Sequence, residues 1–98
     1  MPNKEDEVIK EIPLMISDKL QVIIVNLDDT IFEGEADSII FPGKGNVDLG
    51  ILPFHTPLYA GLFKGDIRVT IGKDVKSFPI DHGVAKVINN QVTVLIGF

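Results

Sequence analysis

The 98-residue chain contains no cysteine, which excludes both disulfide cross-links and thiol catalysis. Its longest apolar runs are about five residues, far short of the ~20 that a membrane-spanning helix needs. Basic residues are also scarce, with 9 Lys and Arg against 14 Asp and Glu. The resulting net charge of −5 disfavours nucleic acid as a partner, because phosphate contacts need clustered cations. The N-terminus is acidic where a secretory signal would be basic, so these absences together favour a soluble cytoplasmic protein.

The residue patterns of a catalytic or metal site are missing as well. Neither histidine, His55 or His82, belongs to an H-x-x-x-H, H-x-H or H-E-x-x-H pattern. Asp81 adjoins His82, and adjacent side chains of a strand point to opposite faces. Thr56 follows His55, but no acid is spaced to orient the pair as nucleophile and base. The sequence therefore predicts no enzyme, no metal and no cofactor. The one enzyme hypothesis that these residues leave open is a small metal-dependent hydrolase built on the two histidines and on aspartates such as Asp48.

From residue 19 onward apolar residues recur with a period of two, which is the spacing of β-strands. Gly72-Lys73 and Asn89-Asn90 each predict a tight two-residue hairpin turn, and Gly34 predicts a bulge or bend. Roughly six or more short strands, spaced about ten residues apart, indicate an all-β sandwich or barrel. The alternating positions predicted to face the core include Ile67, Val69, Ile71, Val92, Val94 and Ile96.

Residues 1–18 do not share this pattern. Pro13 interrupts their short apolar stripe, so no sustained helix is predicted there. We expect a loosely ordered N-terminal extension over residues 1–18 and a β-sandwich domain over residues 19–98. The alternative is that Leu14-Met15-Ile16 docks on a partner or on a sheet edge.

Residues 19–27 form the most apolar of the predicted strands. Their alternate positions are apolar on both faces, whereas a surface strand of a monomer carries polar residues on one face. Two interpretations follow from this pattern. Either the strand is central and covered on both sides, or one of its faces meets a partner.

Residues 42–57, with the sequence PGKGNVDLGILPFHTP, predict a long shaped loop between strands. Gly43-Lys44-Gly45 lacks the remaining residues of a phosphate-binding loop, so we interpret it as a turn with a solvated lysine. Loops held on rigid scaffolds are where binding usually occurs. The residues alone therefore predict a binding module and do not name its partner.

Several segments in register carry a family resemblance over most of the chain, from about residue 19 to residue 95. They are Phe32-Glu33-Gly34-Glu35-Ala36-Asp37-Ser38, Leu49-Gly50-Ile51-Leu52-Pro53, His55 with Pro57 and Leu58, Lys64-Gly65-Asp66-Ile67-Arg68-Val69, Gly83-Val84-Ala85-Lys86-Val87 and Val92-Thr93-Val94-Leu95. Together they resemble the N-terminal domain of the epsilon subunit of F-type ATP synthases.

That resemblance implies a two-layer β-sandwich of about ten short strands in two five-stranded sheets. It also implies a non-catalytic subunit of the rotary central stalk, on the cytoplasmic side of the membrane, that couples ion transport to ATP synthesis. Its implied partners are the gamma subunit and the membrane-embedded c-ring. Asp48 matches the acidic position that faces the polar loops of the ring. Those loops often carry basic residues, so a net-negative subunit would complement their charge. His55, Thr56 and Pro57 match the part that lies near gamma and the ring.

The chain departs from the family pattern at two places. Phe54 stands where the family has glycine, and phenylalanine does not reach positive φ freely. We therefore expect either a different local backbone or an altered contact, in which Phe54 serves as an aromatic anchor. Asp81-His82-Gly83 replaces the family's Ser-Gly-Gly.

Many family members continue into a two-helix hairpin that carries ATP binding and inhibition of hydrolysis. This sequence lacks that segment, so it predicts neither activity. The alternative to a stalk subunit is a stand-alone β-sandwich that binds some other protein.

Overall fold

The computed structural model describes residues 18–98, and the first seventeen positions of the predicted N-terminal extension lie outside this range. The described residues form strands joined by turns, with a single turn of 3₁₀ helix at Lys44–Asn46. The all-β prediction is confirmed. The strands are β1 (Leu20–Val25), β2 (Thr30–Ala36), β3 (Ser38–Pro42), β4 (Asp48–Ile51), β5 (Leu58–Leu62), β6 (Gly65–Ile71), β7 (Asp74–Ile80), β8 (Gly83–Ile88) and β9 (Gln91–Ile96).

The strands make two sheets. One has five strands in the order β2-β1-β9-β8-β5, and the other has four in the order β4-β3-β6-β7. Only β1 and β9 pair in parallel; every other pairing between the described strands is antiparallel. The predicted sandwich is confirmed, and within residues 18–98 its second sheet has four strands where the resemblance implied five.

The core lies between the two sheets and is entirely apolar among the described residues. Alternation along each strand brings one set of side chains inward, and Phe41 is the largest side chain that is fully buried. Full burial of a valine, leucine, isoleucine or phenylalanine side chain stabilises the fold by about 1.5–3 kcal/mol. Most of the predicted core positions are buried, whereas Ile71 and Ile96 are only half-buried at its margin. The core comprises Leu20, Val22, Ile24, Ala36, Ile39, Phe41, Ile51, Leu62, Ile67, Val69, Ile80, Ala85, Val87, Val92 and Val94.

The strand that is apolar on both faces, β1, is a central strand. It lies between β2 and β9. One face is buried in the core, while Ile23 and Val25 on the other face are half-buried. The structure therefore favours the central-strand interpretation and leaves the outer face of this strand only partly covered.

Both predicted hairpin turns are confirmed. Asn89 and Asn90 have φ values of 52° and 62°, and two successive positive φ values are what a type I′ turn requires. Gly72 has φ of 61° at the first central position of the β6–β7 turn. These turns set the register of the β6–β7 and β8–β9 pairs.

The bulge or bend predicted at Gly34 does not form there, and the chain leaves the five-stranded sheet at Asp37. Gly34 pairs in register with Val22 inside β2. At the corner between β2 and β3, the Asp37 N–H donates to the Thr70 carbonyl oxygen at 2.8 Å, and the Gly72 N–H donates to Asp37 Oδ2 at 2.7 Å. Asp37 Oδ1 forms an ion pair with Lys19. An aspartate suits this corner because it accepts hydrogen bonds from two neighbouring segments at once.

The predicted loop of residues 42–57 is not continuous, since it contains β4. This short strand pairs with β3, so that Asp48 lies opposite Pro42 and Ile51 opposite Ile39. Gly65 packs against the end of this hairpin with φ of 156°, and a Cβ there would lie 2.7 Å from Pro42 Cβ. The irregular parts of the predicted loop are therefore confined to the 3₁₀ turn and to residues 52–57.

Candidate functional site

Residues 52–55 form a tight turn just after β4. The His55 N–H donates to the Leu52 carbonyl oxygen at 3.2 Å, which closes a four-residue turn. Pro53 occupies its second position and Phe54, with φ of 66°, its third. Proline second and a positive φ third are the requirements of a type II turn, which normally has glycine at the third position.

Phe54 therefore takes the left-handed backbone that glycine would adopt freely. Of the two expected alternatives, a different backbone is excluded and an altered contact is left. For a residue with a Cβ this conformation costs roughly 1–2 kcal/mol. The Phe54 N–H donates to Asn90 Oδ1 at 2.5 Å, which ties the turn to the β8–β9 hairpin. The Phe54 side chain is 68% exposed. The strained backbone thus presents an aromatic ring to solvent.

His55 adjoins this ring and is half-buried, whereas Thr56 and Pro57 are exposed. His55 Nδ1 lies 2.8 Å from the Thr56 carbonyl oxygen. Because a carbonyl only accepts, Nδ1 carries the proton, and in the neutral ring Nε2 is left as an acceptor. The residues Phe54, His55, Pro57, Asn89 and Asn90 line an open groove of about 350 Å³.

Asp48 lies at the opposite end of β4 from this turn. Arg68 Nη2 contacts Asp48 Oδ2 at 2.5 Å, and the two side chains are 40% and 53% exposed. Lys64 and Asp66 line the same polar recess of about 260 Å³. The structure therefore brings Phe54, His55, Thr56 and Pro57 together and places Asp48 apart from them.

Two residues that shape these surfaces were missed from the sequence. Asn90 was identified only as a turn residue, and Arg68 only as part of a family motif. Each acts through a partner distant in sequence, with separations of 36 residues for Asn90 and Phe54 and 20 for Arg68 and Asp48. Only the pairing of the strands reveals these contacts.

The structure also keeps the two histidines apart. His55 lies beside the β8–β9 turn, whereas His82 precedes the other end of β8. His82 Nε2 donates to the Phe98 carbonyl oxygen at 2.7 Å, and the two rings meet edge to face at 4.9 Å. Within residues 18–98 no three His, Cys, Asp or Glu side chains cluster closely enough to hold a metal ion. The same part of the chain contains no helix long and apolar enough to cross a membrane.

Comparisons with a family model and with known sequences point to the same family. The model of the β-sandwich domain of the ATP synthase delta/epsilon chain matches residues 19–97. The ATP synthase epsilon chain of Leptospira borgpetersenii is 33% identical over 81 residues, which are 83% of this chain and 63% of that one. The epsilon chain of Hydrogenovibrio crunogenus is 40% identical over 76 residues, 78% of this chain and 52% of that one. The chain thus spans less than two thirds of the length of these relatives.

Solved structures show the same fold. A chain in the cryo-EM structure of the Euglena gracilis mitochondrial ATP synthase OSCP/F1/c-ring superimposes with a TM-score of 0.74 at 19% identity, over 83% of this chain and 52% of that chain. A chain of the Tetrahymena thermophila mitochondrial ATP synthase central stalk and c-ring gives 0.68 at 15% identity, over 82% of this chain and 64% of that chain. With the family model covering most of the sequence, the chain belongs to the ATP synthase delta/epsilon chain family and carries its β-sandwich domain.

Proposed function

We propose that the chain is a non-catalytic subunit of the central stalk of an F-type ATP synthase. In this role it binds the gamma subunit and the c-ring on the cytoplasmic side of the membrane and helps couple ion transport to ATP synthesis. Its relatives are ATP synthase epsilon chains, and chains of the same fold occur in assemblies named for the central stalk and the c-ring. These findings favour a stalk subunit over a stand-alone binding module.

The observation that best supports the binding role is that Phe54 combines a left-handed backbone with an exposed ring. An exposed ring on a left-handed backbone gives the isolated fold neither buried area nor a relaxed turn. Leu52, two residues earlier, is also 65% exposed. Aromatic side chains that fill a pocket in a partner supply much of the energy of protein interfaces. We assign Phe54, His55, Thr56 and Pro57 to the contact with gamma and its junction with the ring.

Asp48 provides a second, separate contact toward the ring. Arg68 engages only Oδ2, and Oδ1 makes no hydrogen bond to another described residue. Lys64 and Arg68 balance Asp48 and Asp66 around this recess, so the local surface is not strongly negative. Attraction of a basic ring loop would therefore come from a direct hydrogen bond to Oδ1 rather than from the net charge of the chain.

The test is to mix the purified chain with its cognate gamma subunit and follow the mixture by size-exclusion chromatography with light scattering. A one-to-one complex at micromolar concentration is expected. Two free proteins at that concentration would contradict the proposal. Co-purification of gamma and ring subunits with a tagged chain from native membranes tests the role in the whole assembly.

A further inference from the structure

The edges of the two sheets differ in how they are protected. An edge strand exposes unpaired N–H and C=O groups, and proteins usually guard it with charges, proline or a short length. Glu33 and Glu35 are exposed on β2, and β7 carries Lys76 and Pro79. The third edge, β4, has only four residues and starts with Asp48. Three of the four edges thus carry a device against further pairing.

The fourth edge, β5, carries none. Its sequence is Leu-Tyr-Ala-Gly-Leu, with no charge and no proline. It pairs with β8 along one side, and no backbone hydrogen bond joins its other side to another described residue. Tyr59 is 74% exposed on its outer face, next to the equally outward Gly61. As far as residues 18–98 are concerned, this strand is therefore open to pairing.

An apolar surface adjoins the open edge. Gly61 pairs with Val84, Val84 with Leu95, and Leu95 with Val25, so a row without charge runs across the outer face of the five-stranded sheet. Part of this row lines an open groove of about 490 Å³ beside Tyr59. A Cβ on Gly61 would meet no atom within 4 Å, and its φ is not positive. Nothing among the described residues requires glycine there, and such a strand glycine often marks the close approach of another chain.

We propose that β5 pairs antiparallel with β5 of a second copy of this chain, joining the two five-stranded sheets across a twofold axis. The register that makes the strand self-complementary is centred on Ala60. Tyr59 then lies opposite the partner's Gly61, and Leu58 lies opposite the partner's Leu62. Each tyrosine ring covers a glycine of the facing strand, a cross-strand pair that stabilises sheets.

The pattern of the strand favours a second copy over an unrelated strand. A twofold contact requires that the same patch complement itself. The outer face of β5 does so, because the large side chain of Tyr59 and the missing side chain of Gly61 lie symmetrically on either side of Ala60. The β5 strand carries no charge that would repel its copy, and Lys86, the charged residue of the adjoining groove, lies one strand away on β8. One short strand pair buries less than the roughly 1,200 Å² of a stable interface, so we expect a Kd above about 1 μM. The inference concerns the free chain and goes beyond its proposed role in the stalk.

Sedimentation equilibrium of the full chain, from about 10 μM to about 1 mM, tests self-association. The weight-average mass should rise from 10.7 kDa toward twice that value. Because the chain has no cysteine, the single variant Ala60→Cys places a thiol at the expected axis. Facing Cα atoms at such a site lie within disulfide range. Mild oxidation should cross-link this variant, whereas Ser77→Cys, exposed on β7, should cross-link at least about tenfold less.

A swap of side chains tests the register itself. Tyr59→Gly leaves glycine facing glycine and should weaken the dimer about tenfold. The double variant Tyr59→Gly with Gly61→Tyr restores the complementary pair and should recover the dimer. Melting curves of each variant check that the fold is kept. A monomer at every concentration, a dimer that does not cross-link through Ala60→Cys, or a swap that fails to recover dimerisation in a folded variant would each overturn the proposal.

Discussion

The described chain passes between its two sheets at four corners, and the first two of these are built in opposite ways. At the first corner Asp37 uses its N–H and both carboxylate oxygens to hold Thr70, Gly72 and Lys19. At the second, residues 52–57, Phe54 takes a backbone for which its side chain is unsuited and points that side chain into solvent. The conformation that the fold requires suits the residue at the first corner and is unfavourable for the residue at the second.

Under the proposed function, this difference separates a structural corner from the corner that we assign to binding. A natural sequence is expected to violate local rules mainly where function requires it. The Asn90 side chain holds the strained turn by accepting the Phe54 N–H, so the unfavourable conformation is supported by the rest of the fold. The comparison predicts that substitutions at the second corner change binding more than stability, and that substitutions at the first do the reverse.

The largest effect is expected from Phe54→Ala. Loss of an aromatic anchor should weaken binding to the cognate gamma subunit about 30-fold, which is about 2 kcal/mol. The melting temperature of the free chain should stay nearly constant, because alanine at this position keeps the same backbone strain. Isothermal titration calorimetry measures the affinity. Phe63→Ala, which truncates a 46% exposed phenylalanine elsewhere, is the matched control. Equal losses in the two variants would show that Phe54 has no special role.

The second prediction uses glycine at the same position. Phe54→Gly removes the strain and should stabilise the free chain by about 1 kcal/mol relative to Phe54→Ala. For a domain of this size that is a rise of roughly 4–8 °C in the melting temperature. Affinity for gamma should nevertheless be as low as in the alanine variant. If the glycine variant melts with or below the alanine variant, the turn is not strained.

Asn90→Gly should have a smaller effect. Glycine keeps the positive φ of the type I′ turn but removes the oxygen that accepts the Phe54 N–H. The loss of one such hydrogen bond should weaken gamma binding about threefold, through a less rigid Phe54. Asn89→Gly is the control, since it changes the neighbouring turn residue without touching that hydrogen bond. A similar loss in both variants would assign the effect to the turn rather than to the side chain of Asn90.

The regular parts of the fold could be predicted from the sequence because they depend on local signals. Gly72-Lys73 and Asn89-Asn90 carry the backbone preferences of hairpin turns, and both turns form. The corner at Asp37 could not be located, because it is fixed by Thr70 and Gly72, more than thirty residues away. The bulge or bend predicted at Gly34 was wrong, because a strand tolerates glycine when the neighbouring residues pair in register. The strand β4 was hidden because four residues between prolines and glycines have no clear period.

The candidate site was only partly predictable. Phe54 stood out as a departure from the family, which was a genuine signal of an unusual turn. The sequence could not decide between a different backbone and an altered contact, because the cost of a left-handed phenylalanine cannot be weighed without knowing that Asn90 holds its N–H. The separation of Asp48 from Phe54 likewise follows from the extension of β4 between them. Sequence distance alone had placed them in one loop.

The smallest effect is expected at the structural corner and depends on pH. The Lys19 ammonium, and after it the Gly72 N–H, hold the pKa of Asp37 below its usual value. A carboxylate with a lowered folded pKa contributes stability above its unfolded pKa of about 3.9, and this contribution is lost as the pH falls through the folded value. Asp37→Asn should therefore melt below the natural chain near neutral pH, and the gap should close in acid.

Lys19 provides the opposite limb of the same test. Its hydrogen bond to Asp37 raises its pKa, so its contribution is complete below an unfolded pKa of about 10.4 and is lost as the pH rises through the folded value. Lys19→Met should remove this alkaline dependence, and melting curves from about pH 2 to about pH 11 cover both limbs. Because both side chains are partly exposed, the effect should shrink in high salt. Gamma binding near neutral pH should be unchanged in both variants, and a loss there would mean that the two corners do not act separately.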